Sequence, residues 1–347
     1  MKAAYLKGLR QVAVEEAAEP ELHRETDVLL QVESVGVCGS DMHYYRTGRI
    51  GDQVVEYPFV VGHEFSARVL EVGPGVGSVR PGERVAVDPL IWCGRCDQCL
   101  AGREHTCRDQ VFMGCPGQLS GCLVERVVMP EACCFPVPDA LDADAAAMVE
   151  PMSVGLYSQR LGGDVSGANV GILGCGPIGL CVLLACRAAG AANVYMTDIR
   201  NNRRNLAERL GADWTGNPDE TDIVADILDR EPRGLDILFE CAGEQSTLDN
   251  GTDLSAPAGK LMLVGIPEAD RVSFLMDSLR RREITLQPVR RQSHCVADTI
   301  DGIAAGRLDV KPMITHTFGL EDVQQAFDTV ADYRDGVVKA MIHLTRS

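Results

Sequence analysis

Val170-Gly171-Ile172-Leu173-Gly174-Cys175-Gly176-Pro177-Ile178-Gly179 runs from a short apolar strand into a glycine-rich turn and straight on into a helical pattern. The GxGxxG spacing alone means little, because glycine-rich turns are common. Its position gives it meaning: a turn that closes a strand and opens a helix lets the backbone approach a pyrophosphate while the helix N-terminus faces the anion. Gly174, Gly176, Pro177, Ile178 and Gly179 are therefore candidate dinucleotide-binding residues.

The pattern on either side of the turn agrees. From about Val154 to Pro288, strand and helix alternate: 170–173 as strand, Pro177 to Ala189 as helix, 194–197 as strand, Asn202 to Leu210 as helix, then strands at Leu235 to Phe239 and Leu261 to Val264. This alternation predicts a doubly wound parallel sheet. Asp198 closes the second strand, 19 residues after Gly179, where a carboxylate accepts hydrogen bonds from the ribose hydroxyls and repels a 2′-phosphate. NAD is thus expected over NADP. Arg200 and Arg203 follow closely, and an arginine there is the usual partner of the 2′-phosphate.

Residues 1–153 read differently, as short β-rich runs such as Val28 to Val37 and Ala67 to Val72, broken by Pro74-Gly75 and Pro81-Gly82. After Val289 come helical patterns at Val296 to Ala305 and Glu321 to Val330 and a terminal strand at Val337 to His343. The chain is predicted to be α/β overall, a strand-rich domain over 1–153 followed by a parallel-sheet domain over 154–288.

At 347 residues and 46% hydrophobic residues, the chain can bury more than one core. Its net charge of −17 repels nucleic acid phosphates and anionic lipid, so neither nucleic acid nor a membrane surface is an expected partner. No apolar run approaches the ~20 residues that span a bilayer, and Met1-Lys2-Ala3-Ala4-Tyr5 lacks the apolar core of a signal peptide, so a cytoplasmic location is the expectation. Fourteen cysteines in such a chain point to metal ligation and free thiols rather than disulfides.

Two cysteine patterns carry metal chemistry. Cys38-Gly39-Ser40-Asp41-Met42-His43-Tyr44, taken with Gly62-His63-Glu64, offers a thiolate, an imidazole and a carboxylate beside the proton carriers Ser40 and His43. Catalytic zinc takes three such ligands and keeps a fourth position open. Cys93, Cys96, Cys99 and Cys107, spaced C-x2-C-x2-C-x7-C, supply four thiolates, enough for a closed tetrahedral site that orders a loop and admits no substrate.

Read together, these motifs resemble the zinc-dependent medium-chain dehydrogenases, and among them the sorbitol (polyol) dehydrogenase branch. The likeness rests on His43-Tyr44, Gly48-Arg49-Ile50-Gly51-Asp52, Gly62-His63-Glu64, Glu150-Pro151-Met152-Ser153-Val154-Gly155, the glycine turn, Glu240-Cys241-Ala242-Gly243, and Val310-Lys311-Pro312 with Thr315-His316. It spans nearly the whole chain. The resemblance implies a GroES-like catalytic domain completed by 289–347, a Rossmann domain binding NAD, one catalytic and one structural zinc, and a homotetramer or dimer. It implies oxidation of a sugar alcohol's secondary hydroxyl to a ketose, with sugar acids or vicinal diols as alternative substrates.

Site residues follow from the same resemblance. Cys38 and His63 are implied zinc ligands. Glu64 and Glu150 compete for the third place; alcohol dehydrogenases of the family often carry Cys where Glu150 stands. Tyr44 and Arg290 are implied substrate contacts, and Cys241 and Val264 join Asp198 and Arg203 at the cofactor. Arg291 departs from the pattern, standing where the polyol enzymes commonly have an aromatic residue.

Overall fold

Along Asp27–Gly36, Val28, Leu30 and Val32 are fully buried while the residues between them are not, the period of two that a strand with one covered face requires. This strand is the spine of a seven-stranded sheet in a computed structural model that describes residues 1–344. Along one path the sheet runs through Cys134–Pro136, Arg84–Val87, Glu64–Val72, Asp27–Gly36, Lys339–His343 and Ile314–Gly319, and Arg126–Pro130 also pairs with the spine. All the pairings are antiparallel except that of the last two strands on the path. Met341 lies opposite Gly36 and Ile342 opposite Val35, so the tail strand enters the sheet of the N-terminal unit directly.

The second unit has a six-stranded, all-parallel sheet in the order Trp214–Gly216, Asn193–Thr197, Asn169–Leu173, Leu235–Glu240, Ser255–Leu263, Thr285–Pro288. Numbered along the chain this is 3-2-1-4-5-6, one of the orders of the doubly wound sheet expected from the alternating pattern. Strands buried on both faces read as continuous apolar runs, and Val170, Ile172, Val194, Met196, Leu238 and Phe239 are all fully buried.

The division between the units differs from the sequence reading. One unit comprises 1–150, 296–306 and the tail from Val310; the other comprises 151–295 and 307–309. The first boundary thus falls after Glu150 rather than Ser153, and the return begins at Val296 rather than Val289. Residues 289–295 remain with the parallel sheet because Val289 N donates to Leu263 O at 2.9 Å and Arg160 Nη1 lies 3.6 Å from Cys295 Sγ. Other ends shift slightly: the helix expected from Glu321 is a 3-10 turn, Leu320–Asp322, followed by Val323–Ala331, and the terminal strand starts at Lys339. Among the described residues no helix is long and apolar enough to cross a membrane.

Candidate metal centres and cofactor turn

Cys38 precedes the helix Gly39–Thr47, and Asp41 in its first turn accepts a hydrogen bond from Cys38 N at 3.0 Å. His63 and Glu64 arrive from the neighbouring strand, where Glu64 lies opposite Gly36 in the antiparallel register. The pairing brings Cys38 Sγ, a ring nitrogen of His63 and a carboxylate oxygen of Glu64 within 4.8 Å of one another. Thiolate, imidazole and carboxylate are the donor types that bind catalytic zinc. The surroundings also call for a cation: burial, then the charges of Glu64 and Asp41, push the Cys38 thiol well above its ordinary range. A dication reverses that penalty, because it favours the thiolate.

Three groups around this cluster carry weight that their positions in the sequence understated. Asp41 is 1% exposed, and besides Cys38 N it accepts from Gly62 N at 3.2 Å and lies 3.7 Å from His63 Nδ1, so one carboxylate ties both ligand-bearing segments together. Its place in the first turn after Cys38 is the signal that could have marked it. Lys339, from the last strand, donates to Val37 O at 3.1 Å and forms an ion pair with Glu64 Oε2, with side-chain exposures of 1% and 2%. Gly36 makes this pair possible: a Cβ there would stand 2.5 Å from Glu64 Oε2 and 2.9 Å from Lys339 Cε. Nothing near Lys339 in the chain announces that role, since 275 residues separate it from Glu64.

Glu150 stands outside the set of mutually close donors. Burial pushes its carboxyl up to about 7, with His63 and Lys339 opposing that rise and Glu64 and Asp88 adding to it. The proton carriers differ in their surroundings: Ser40 Oγ donates to Cys38 Sγ at 3.3 Å, while His43, half-buried, projects from the same helix. Tyr44 is 4% exposed, and its hydroxyl donates to Gln53 Oε1 at 3.2 Å. Phe112 packs against the His63 ring at 5.3 Å between centroids.

The four thiols of Cys93, Cys96, Cys99 and Cys107 also converge within 4.8 Å. Sγ separations are 4.0 Å for Cys93–Cys99, 3.6 Å for Cys96–Cys99 and 3.9 Å for Cys96–Cys107. Zinc–sulfur bonds of ~2.3 Å in a tetrahedron give edges of about 3.8 Å, so the thiols fit a single zinc ion. None forms a disulfide. The Arg108 and Cys99 backbone N–H groups draw the Cys96 thiol down to about 6, and Arg108 pairs with Asp97 at 2.5 and 2.9 Å, bracing the lobe. Replacing any one of the four by Ser is expected to lower metal content from two zinc ions per chain to one and to lower the melting temperature, because structural zinc contributes folding free energy. Metal analysis and calorimetry on chelator-free protein check this; a single zinc in wild type with four freely titratable thiols here would overturn it.

In the second unit the glycine turn closes the strand Asn169–Leu173 and opens the helix Pro177–Ala188. Gly174 adopts φ +109°, and a Cβ on Gly179 would lie 1.9 Å from Gly174 O, so neither position accepts a side chain. Pro177 fills the first helical turn, where a missing N–H costs nothing. The Asp198 side chain, 8% exposed, accepts from Cys175 N at 2.9 Å and Arg200 N at 2.8 Å, with Arg203 Nη1 3.9 Å from it. Cys241 and Val264 lie just past the carboxyl ends of strands Leu235–Glu240 and Ser255–Leu263, on the side of the sheet where its strand order reverses. Glu240, which the sequence marks as part of a motif without giving it a role, gathers this rim by accepting from Ala242 N, Gly243 N and Thr247 Oγ1 at 2.7–2.8 Å. Arg290 is exposed, and Arg291 is partly buried in a left-handed conformation, φ +55°.

Comparison with known proteins agrees with this architecture. Residues 24–139 match the alcohol dehydrogenase GroES-like domain and residues 177–305 the zinc-binding dehydrogenase domain. The chain is 33% identical to a sorbitol dehydrogenase of Bacillus subtilis, over 100% of this chain and 98% of that one. It is 35% identical to an L-idonate 5-dehydrogenase of Vitis vinifera, over 99% and 94% of the two chains. A zinc-binding dehydrogenase from Sinorhizobium meliloti, solved with NADP, superposes with a TM-score of 0.90 at 31% identity over 99% of each chain.

Proposed function

We propose, from the premise that this chain belongs to the zinc-dependent medium-chain dehydrogenases of sorbitol type, that it oxidises a secondary hydroxyl of a sugar alcohol to a ketone with NAD as acceptor. The observation that carries the reading is the convergence of Cys38, His63 and Glu64 in one unit, while the other unit holds a complete dinucleotide turn. Zinc held by these three residues supplies the positive charge that makes a hydroxyl acidic, and NAD supplies the hydride acceptor.

The remaining steps belong to the side chains. Asp41 fixes the backbone before the helix and the segment carrying His63, so the ligands keep their mutual position without substrate. Ser40 Oγ and the His43 ring carry the hydroxyl proton away from the buried cluster. Glu150 acts as an outer partner, holding a proton beside His63 without ligating. Glu150→Ala is then expected to cut turnover by about 10–100-fold while zinc content holds at the wild-type level. Equal loss of metal and turnover would instead make Glu150 a ligand. Tyr44 and Arg290 orient the substrate's further hydroxyls, and the enzyme works as a cytoplasmic homotetramer.

Sugar acids form a second reading, favoured by Arg291 and by the L-idonate relative. A guanidinium matches a carboxylate as a planar fork, whereas a neutral polyol gains little from a second positive charge. A screen of NAD reduction over polyols, sugar acids and simple diols, in wild type and Arg291→Ala, separates the two. Turnover of polyols alone, unchanged by the substitution, supports the alcohol; acid turnover that falls with Arg291→Ala supports the acid. Wild type without turnover on any of the panel would refute both.

A further inference from the structure

We propose that Asp198 is a positioning residue for the phosphate-binding turn, acting through its side-chain oxygen and not only as a reader of the adenosine ribose. The proposal rests on the dinucleotide reading of the second unit. A turn built on Gly174 and Gly176 has almost no side chain of its own to hold it, and glycine loses more conformational entropy on ordering than any other residue. Beside a contact of Cys175 Sγ with Thr197 O at 3.6 Å, two backbone N–H ties fix it to the end of the adjacent strand. Gly174 N donates to Thr197 O at 2.8 Å, and Cys175 N, the amide between the two glycines, donates to Asp198 Oδ2 at 2.9 Å. The first tie is backbone to backbone. The second hangs on one side chain.

Asp198 is itself held for this task. Its Oδ1 accepts from Arg200 N at 2.8 Å, its carbonyl accepts from Arg204 Nη1 at 2.7 Å, and its own N–H donates to Gly216 O at 3.1 Å. Arg203 Nη1 lies 3.9 Å from Oδ2 and 3.6 Å from where a Cβ on Gly176 would stand, so its guanidinium sits beside both the carboxylate and the turn and offsets the negative charge there. The carboxylate therefore has two separable properties. Its charge disfavours nearby phosphate, and its oxygen keeps the turn in shape to receive phosphate.

The two properties predict opposite signs when Asp198 is removed. If charge were all that mattered, Asp198→Ala would tighten binding of a diphosphate, because a negative group has left its vicinity. If the accepted hydrogen bond matters more, binding weakens, because Cys175 N loses its partner and the turn one of its two backbone N–H ties. Asp198→Asn, with its oxygen turned to Cys175 N, keeps that acceptor while deleting the charge and the acceptor of Arg200 N. Cofactor preference is then open to change through Asn, which preserves the turn and leaves Arg203 facing a neutral amide, whereas Ala sacrifices the turn.

The probe is 2′,3′-dideoxyadenosine 5′-diphosphate, which carries the diphosphate and lacks both ribose hydroxyls that Asp198 would read, so no ribose contact can be lost. Its affinity is measured by displacement of NADH fluorescence from the full chain, with no turnover involved. Asp198→Ala is expected to weaken the analogue about tenfold, the loss of one charge-assisted hydrogen bond, with Asp198→Asn within about threefold of wild type. Calorimetry on both variants confirms that they are folded. An Asp198→Ala protein that binds the analogue as tightly as wild type or more tightly overturns the proposal. So does an equal loss in Ala and Asn, which would show that an oxygen offered to Cys175 N is not what keeps the turn in shape. Wild type that binds neither NADH nor the analogue overturns the cofactor reading and the proposal with it, a result separate from any difference between the variants.

Discussion

Cys38→Ser is expected to remove one of two zinc ions per chain and to lower kcat by about 10³-fold or more, with the four-thiolate lobe and both folded units intact. A metal ion provides several kcal/mol of charge stabilisation at a developing alkoxide, and each ~1.4 kcal/mol is a factor of ten in rate. Serine keeps the volume nearly unchanged but presents a hydroxyl where the site is built around a thiolate. It disturbs the hydrogen bond from Ser40 Oγ to Cys38 Sγ and the capping contact of that side chain with the Asp41 backbone, both of which a serine hydroxyl can still make. Metal analysis with steady-state kinetics decides the matter: a variant holding two zinc ions and turning over at the wild-type rate would exclude Cys38 as a ligand. Melting curves should change little, because Cys38 leaves Asp41 in place to tie Cys38 N to Gly62 N.

Lys339→Met is expected to have the largest effect on stability. It removes the cation from a pair whose side chains are 1% and 2% exposed and leaves the Glu64 carboxylate buried without its lysine. Breaking a buried pair by deleting one partner costs ~3–5 kcal/mol, far more than the pair's net contribution against an apolar replacement. Val37 O loses a donor as well. For a unit of this size the cost corresponds to a fall of about 6–20 °C in the melting transition of the N-terminal unit, read by calorimetry. Lys339→Arg keeps the charge but carries a bulkier head. Gly36→Ala tests the same pair from the other side, since its Cβ would press on Glu64 Oε2 and Lys339 Cε together. A Lys339→Met protein melting within a degree or two of wild type would show that the pair contributes nothing beyond packing.

Much of the architecture was legible because it is written locally. The run 170–179 contains its strand, turn and helix start in consecutive residues, and a doubly wound parallel sheet follows from repeating that unit, while the strand order 3-2-1-4-5-6 comes from the tertiary structure. The thiolate lobe was legible for the same reason: Cys93 to Cys107 closes within a short loop, so spacing alone constrains the geometry. The domain ends were less so. Glu150 and Ser153 share one helix, Val149–Gly162, and periodicity gives no sign of where along a continuous helix one unit gives way to the next. Likewise 289–295 reads as the start of the tail, and only the contacts of Val289 and Cys295 assign it to the parallel sheet.

The candidate ligands themselves, Cys38, His63, Glu64 and the four thiols, were determined by the sequence, because few residue types have the chemistry to bind zinc and they recur at recognisable spacings. What only the tertiary structure decided is which carboxylate lies in the close cluster. Glu64 is drawn into the close cluster because the antiparallel register sets it opposite Gly36, and it meets Lys339 because the tail strand pairs beside the same residue. Glu150, near the start of its own helix, is held apart from that set. Strand register over long separations depends on which faces are buried by the whole sheet, and no local stretch of sequence contains that information.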